Sequence, residues 1–129
     1  MQQEHGYNFS FSGLKTAVLR QTKQYRPEHM PVRDLAASFQ AAVVDMLVEK
    51  TVRAANDHHV TAIHVAGGVS ANRALRMAMF EATSLPVRVP PPTLCTDNAA
   101  MIAAAAHHHL INGRQDYYDM DVIPSLQLV

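Results

Sequence analysis

Residues 60–66 form a short, β-branched and apolar segment that runs directly into Gly67 and Gly68 and then into a helical pattern at residues 71–82. A short apolar run bounded by glycines is typical of a buried strand. A buried strand followed at once by a helix predicts a β–α unit, and units of this type pair their strands in parallel. No other feature of the sequence restricts the fold as strongly.

The rest of the chain continues this alternation of strand and helix. The period-two pattern of residues 7–12 predicts a first strand, and residues 85–89 predict a further one. Helices are predicted over residues 14–24, residues 32–56, residues 71–82 with Ser70 as N-cap, and a last segment that begins at Thr96 or Asp97 and ends at Ile111 before Asn112-Gly113. The sequence therefore predicts an α/β fold with parallel strand pairs in a single domain.

The second of these helices has the longest amphipathic pattern. Its predicted apolar stripe consists of Leu35, Phe39, Ala42, Val43, Met46 and Leu47. This helical spacing predicts that one face of the helix packs on the core.

Composition restricts the functional classes. Lys plus Arg and Asp plus Glu each number 11, so the totals show no strongly basic surface for nucleic acid. The single cysteine, Cys95, excludes an intrachain disulfide and indicates a reducing compartment. No apolar run approaches the ~18–20 residues that cross a bilayer, and residues 1–6 lack the apolar core of a signal peptide. We therefore expect a cytoplasmic protein without a membrane partner.

Two predicted strand-to-helix turns carry residues suited to ligand binding. In the first, Gly67-Gly68 allows close approach of a ligand to the backbone, the helix start offers free N–H groups, and the amide of Asn72 lies in the first helical turn. Turns of this type hold nucleotides at the carboxyl ends of strands in α/β sheets. The alternative is a plain turn in which the two glycines only relieve crowding.

The second turn contains residues 94–101, which read Leu-Cys-Thr-Asp-Asn-Ala-Ala-Met. Asp97 lies at a helix start, where its carboxylate can ligate a metal ion. The alternative is that Asp97 is only an N-cap. Cys95 is predicted to be a buried small residue. His107 to His109 cannot converge on one ion, because successive helical residues point about 100° apart.

Three segments in register resemble the C-terminal half of the tRNA N6-adenosine threonylcarbamoyltransferase (TsaD) family. Residues 8–16 read Asn-Phe-Ser-Phe-Ser-Gly-Leu-Lys-Thr, residues 67–73 read Gly-Gly-Val-Ser-Ala-Asn-Arg, and residues 95–102 read Cys-Thr-Asp-Asn-Ala-Ala-Met-Ile. Their order and spacing also match. The resemblance covers nearly the whole chain, and it is weakest after Gly113.

The resemblance implies the actin-like ATPase, sugar-kinase and Hsp70 architecture, which is related to ribonuclease H and has two lobes around a cleft. It implies transfer of a threonylcarbamoyl group from threonylcarbamoyl-adenylate to N6 of adenosine 37 in tRNAs that read ANN codons. By the same resemblance Asn72 contacts the adenylate-like substrate, and Asp97 ligates one divalent metal ion, iron or zinc. We expect Gly68, through the backbone of its turn, to bind the same substrate. The implied partners are tRNA and the bacterial proteins TsaB and TsaE, with self-association as a further expectation.

The sequence departs from the family in one respect. The family's other metal ligands come from an H-x-x-x-H motif in the N-terminal half, and the chain contains no such motif. We therefore expect residues 1–129 to be the C-terminal lobe alone, without the N-terminal lobe, and inactive by itself. No general base is predicted. The alternatives are a nucleotide-binding lobe of another actin-like kinase or chaperone relative, and a non-catalytic truncated fragment that binds a partner.

Overall fold

The computed structural model describes residues 6–9, 11–115, 117–118 and 121–123. Four helices and two strands form most of this region: α1 (Phe11–Thr22), α2 (Val32–Asp57), β1 (Ile63–His64), α3 (Arg73–Glu81), β2 (Val87–Arg88) and α4 (Ala99–Ile111). Single 3-10 turns lie at Pro27–His29, Gly68–Ala71 and Pro92–Leu94. The described chain is therefore rich in helix and contains one small sheet.

The two strands pair in parallel, as the sequence predicts. Ile63 is in register with Val87, and His64 is in register with Arg88. The pairing extends slightly beyond the strands, because the N–H of Val65 donates to the carbonyl of Arg88 at 3.0 Å. Both strands are shorter than predicted. Parallel pairing places the carboxyl ends of β1 and β2 at one edge, so the two turns that follow them also begin there.

The core lies between α2, α3 and the sheet. Its buried residues are Val44, Ala55, Ile63, Leu75 and Met79. The bounds of α2 agree with the prediction to within one residue, but the predicted apolar stripe is not the buried one. Val44 is buried, whereas Phe39 of the predicted stripe is 42% exposed. The core contacts only the C-terminal part of the stripe, at Leu47, because α3 and β1 pack on that half of α2.

The predicted first strand over residues 7–12 is wrong for the described residues, because Phe11 begins α1 and residues 7–9 are not in a strand. Ser10 lies outside the described residues. A strand needs a neighbour that accepts and donates main-chain hydrogen bonds. Here the carbonyls of Gly6 and Asn8 instead accept from the side chains of Arg53 and Lys50 on α2, at 2.7 and 2.5 Å.

No residue of α4 is buried within the described structure. Met101, Ile102, Leu110 and Ile111 are 48–65% exposed. Residues 99–106 of α4 are all apolar, and a helical stretch that is apolar on all sides is normally covered by other protein or by lipid. Within the described residues, none of the helices has the length and apolar character needed to span a bilayer. Within the described residues, α4 therefore contributes no side chain to the core.

The end of α4 agrees with the prediction. Gly113 has φ of +75°, a left-handed conformation that glycine adopts without steric cost. The N–H of Gly113 donates to the carbonyl of Leu110, and the N–H of Arg114 donates to the carbonyl of His109, both at 3.0 Å. This is the hydrogen-bond pattern of a Schellman cap.

We expect Met79→Ala to lower the free energy of unfolding by about 2–5 kcal/mol, because Met79 is 2% exposed and its truncation leaves a cavity. Ile102→Ala, at a position that is 62% exposed, should change the free energy of unfolding by less than about 0.5 kcal/mol. Urea denaturation followed by circular dichroism measures both. Equal losses in the two variants would contradict the placement of the core.

Candidate functional site

Two turns leave the same edge of the sheet. The first, here called the glycine turn, comprises residues 67–72 and connects β1 to α3. The second, here called the proline–cysteine turn, comprises residues 90–98 and connects β2 to α4. Ligands of α/β folds bind at such carboxyl edges. These turns therefore form the candidate site.

The glycine turn depends on Gly67 and Ser70. Gly67 has φ of +86°, which residues with a Cβ rarely adopt. Ser70 is 1% exposed, and its Oγ donates to the carbonyl of Gly67 at 2.6 Å. The prediction that Ser70 caps the next helix is therefore wrong. Ser70 lies inside the 3-10 turn Gly68–Ala71, two residues before the N-cap Asn72, so its hydroxyl closes the turn instead.

Asn72 is the N-cap of α3, one position before the first helical turn in which the sequence placed it. Its Oδ1 accepts from the N–H of Leu75 at 3.1 Å. Its Nδ2 donates to Oε1 of Gln40, on α2, also at 3.1 Å. The cap satisfies a backbone N–H that the helix itself leaves without an acceptor. Both ends of the amide are thus engaged, and the side chain connects α3 to α2.

Asn72 lies at the margin of an apolar cavity of about 430 Å³ between α1, α2 and α3. The cavity is lined by Phe11, Ala36, Phe39, Gln40, Val43, Val44, Leu47, Val69, Asn72 and Leu75. A second cavity is lined by Gln40, Asn72, Arg73, Ala74 and Met77. The first has the size and character of a small-molecule pocket, with mainly apolar walls and a few amides. Asp97 lines neither cavity.

Gly68 faces open space. A Cβ built on Gly68 would meet no atom within 4 Å. The first N–H groups of a helical turn have no acceptor inside that turn. Gly67 and Gly68 are exposed, so the backbone at the start of the glycine turn is accessible from solvent.

The proline–cysteine turn is closed by Cys95 and Asn98. Cys95 is buried, which confirms the prediction, and its Sγ lies 3.3 Å from the carbonyl oxygen of Pro91. Asn98 caps α4, because its Oδ1 accepts from the N–H of Met101 at 3.0 Å. The prediction of Thr96 or Asp97 as the cap is wrong. Asn98 is the residue with extended backbone next to the helix, and only its side chain reaches the free N–H.

Asp97 is exposed and, within the described part of the chain, its carboxylate makes no hydrogen bond or ion pair. The N-cap alternative for Asp97 therefore does not hold. The described residues contain no group of three or more His, Cys, Asp or Glu side chains that could hold a metal ion. A tightly bound ion needs several such ligands, so these residues do not by themselves fit the expected iron or zinc.

One residue of the site is absent from the sequence-based predictions. Arg76, on the second turn of α3, donates from Nε to the carbonyl of Ser70 at 2.6 Å and from Nη2 to the carbonyl of Pro90 at 2.8 Å. Nη2 also lies 3.1 Å from Sγ of Cys95. Its place four residues after the cap is a usable signal, because helical side chains lean back toward the helix N-terminus.

A second cluster, also missing from those predictions, holds residues 6–9 on α2. The hydroxyl of Tyr7 donates to Oδ2 of Asp57 at 2.6 Å, and its ring lies 5.7 Å from the guanidinium of Arg53. The hydrogen bond to Asp57 raises the pKa of Tyr7 above its usual value of 10.0. Desolvation and the charge of Asp57 act in the same direction, and the charge of Arg53 opposes them.

Comparisons with known proteins identify the family of this chain. The sequence matches the family model TsaD, tRNA N6-adenosine threonylcarbamoyltransferase, over residues 1–104. Relatives named tRNA N6-adenosine threonylcarbamoyltransferase include those of Dehalococcoides mccartyi strain BAV1, 52% identical over 95% of this chain, Thermomicrobium roseum, 49% over 95%, and Bacillus subtilis strain 168, 45% over 98%. The matched segment is 37%, 40% and 38% of those relatives, respectively. The chain thus spans about two fifths of their length.

We expect Asn72→Ala to lower the free energy of unfolding by about 1 kcal/mol, because α3 loses its cap. Asn72→Asp keeps the capping oxygen and loses only the donor to Gln40, so its loss should be smaller. Urea unfolding of both variants beside the unaltered chain measures the difference. Identical stability of Asn72→Ala and the unaltered chain would contradict the capping role.

Tyr7 should titrate above pH 10, and Asp57→Ala should move its titration midpoint down. Since the folded-state pKa is the higher one, the stabilisation from this hydrogen bond is complete below pH 10.0 and is lost as the pH rises through the folded-state pKa. NMR of the Tyr7 ring measures the midpoint. Asp45→Ala, an exposed carboxylate on the same helix, is the control and should leave it unchanged.

Proposed function

Because the chain belongs to the tRNA N6-adenosine threonylcarbamoyltransferase (TsaD) family, we propose that it supplies the C-terminal part of that enzyme's active site. The reaction is transfer of a threonylcarbamoyl group from threonylcarbamoyl-adenylate to N6 of adenosine 37 in tRNAs that read ANN codons. The family match over residues 1–104 carries this proposal. We further propose that the helices and the parallel strand pair are part of a lobe of the actin-like, ribonuclease H-related fold.

The glycine turn is the proposed adenylate-binding element. Its support is the open space over Gly68, the accessible N–H groups at the start of the 3-10 turn, and the amide of Asn72 beside an apolar cavity. Backbone N–H groups and a side-chain amide suit the phosphate and base of an adenylate. In this role Gly68 and Asn72 orient the substrate, and neither takes part in bond making.

Transfer requires the N6 amine of the tRNA adenosine to attack the carbamoyl carbon. The bond from that carbon to the adenylate phosphate then breaks, AMP leaves, and the amine gives up one proton. The contribution of this chain is to hold the adenylate so that the amine can approach the face of the carbamoyl carbonyl, and positioning of this kind removes a large part of the barrier in such reactions. No residue of the chain is assigned as the base that takes the proton.

Asp97 is the proposed contribution of this chain to a metal site. Its carboxylate is exposed and uncommitted within the described residues, which leaves it available as one oxygen ligand. The described residues do not complete a coordination shell for iron or zinc. Any further ligands would have to come from other protein.

The proposed partners are tRNA, threonylcarbamoyl-adenylate and the bacterial proteins TsaB and TsaE, and the proposed location is the cytoplasm. The chain has equal numbers of basic and acidic residues, so most of the tRNA contact would come from elsewhere in the assembly. The exposed apolar surface of α4 favours contact with another protein surface, either more of the same enzyme or a second copy. A chain that only binds a partner through α4 and catalyses nothing is the second candidate.

A chimera distinguishes the two candidates. In the Bacillus subtilis relative, the segment matched by this chain is replaced by the chain itself, and modified adenosine in tRNA is measured by mass spectrometry. The unaltered chimera should modify tRNA. Asn72→Ser keeps a capping hydroxyl but lacks the amide, and we expect its activity to fall about tenfold or more. We expect a loss of the same size in Asp97→Ala, which removes the proposed metal ligand.

Asp45→Ala is the control for removal of an exposed carboxylate, and its activity should stay normal. A chimera that folds and binds TsaB but leaves tRNA unmodified would support the partner-binding candidate instead. Full activity and unchanged metal content in Asp97→Ala would refute the assignment of Asp97.

A further inference from the structure

We propose that Arg76 is a positioning residue that joins the glycine turn and the proline–cysteine turn into one unit, so that a ligand held by the first turn orders the second. The link consists of contacts that Arg76 makes within the chain. Only its consequence for a ligand rests on the proposed function.

The guanidinium of Arg76 reaches both turns at once. Nε donates to the carbonyl of Ser70, which precedes Arg76 by six residues, and Nη2 donates to the carbonyl of Pro90, which follows it by fourteen. Sγ of Cys95, nineteen residues onward, completes the set at 3.1 Å from Nη2. A single side chain on a rigid helix thus touches the closing residue of each turn.

Little else connects the two turns. The sheet pairs only two residues of each strand, and its last main-chain hydrogen bond joins Val65 to Arg88. Within the described residues, no backbone hydrogen bond joins residues 67–72 to residues 90–98. The relation between the turns beyond the sheet edge therefore depends on Arg76.

Arginine suits this role better than lysine. Its planar group carries donors in fixed directions and stays charged at all physiological pH values. Ser70 is buried, so loss of the donor would leave its carbonyl without a partner where water has poor access. A lysine has no planar fork and can place an N–H on only some of these acceptors.

The residues proposed to contact ligands lie on the two linked turns. Asn72 ends the glycine turn, and Asp97 follows the Cys95 contact by two residues. In this proposal Arg76 contacts neither the adenylate nor the metal ion. It sets the distance between the two turns that would hold them. It is therefore distinct from the substrate and metal contacts described above.

Hydrogen–deuterium exchange of the 129-residue chain, read residue by residue by NMR, tests the link without any ligand. The reporters are the N–H groups of Ser70 and Asn72 in the first turn and of Leu94 and Cys95 in the second, all of which are hydrogen-bonded. In Arg76→Met both pairs should exchange at least about tenfold faster, while the amides of Val44 and Met79 in the core stay protected.

Two further variants serve as controls for Arg76→Met. Arg73→Met removes an exposed arginine from the same helix and should change none of the reporters. Arg76→Lys should restore part of the protection, and it serves as the test if Arg76→Met does not fold. Acceleration confined to Ser70 and Asn72, or an equal acceleration of the core amides, would overturn the proposed link.

A titration with AMP tests the consequence for a ligand. In the unaltered chain, the amides of residues 70–72 and of residues 95–98 should shift with one common Kd. In Arg76→Met the shifts at residues 70–72 should remain and those at residues 95–98 should disappear. Retained shifts at residues 95–98 would overturn the coupling. No shift in the unaltered chain would count against the adenylate role of the glycine turn, and the exchange experiment would still decide the role of Arg76.

Discussion

Parallel pairing of Ile63–His64 with Val87–Arg88 is the constraint on which the candidate site depends. Because the strands run in the same direction, the glycine turn and the proline–cysteine turn leave one edge of the sheet. The pairing is short, so it fixes where the turns begin but not how they continue. Arg76 then holds their closing residues, Ser70 and Cys95, near each other. The sheet determines where the two turns start, and the side chain of Arg76 on α3 determines the distance between them.

The sequence predicted elements whose cause is local and one tertiary pairing that follows from the order of the elements. The bounds of α2 and the glycine stop after α4 follow from residues adjacent in the chain. The parallel strand pair was predictable because a helix between two strands favours their parallel pairing. The strand over residues 7–12 failed because a strand requires a partner, and the carbonyls of that segment pair with side chains of α2 instead. The helix caps failed because several capping residues stand in a row, and the fold determines which one lies next to the free N–H.

The buried apolar surface is distributed unevenly among the helices. A small core between α2, α3 and the sheet buries five residues, while α1 and α4 bury none within the described structure. Apolar side chains on α4, such as Ile102 and Ile111, are exposed and therefore add no hydrophobic stabilisation to the folded chain. Burial of these side chains against another protein surface would be favourable in free energy. The architecture is therefore suited to assembly with more protein, in agreement with relatives of which it spans about two fifths.

The two predicted ligand contacts differ in what binding would cost. Asn72 already uses Oδ1 to cap α3 and Nδ2 to bond Gln40, so a ligand can gain only the Nδ2 donor without loss of the cap. Because Gln40 is exposed, its Oε1 can turn to water, and the exchange of one hydrogen bond for another is nearly neutral. Asp97 has no protein partner to give up within the described residues. Its carboxylate loses only hydration, which a single ligand bond does not offset. Asn72 therefore suits a contact that forms readily, whereas Asp97 can hold an ion only beside other ligands.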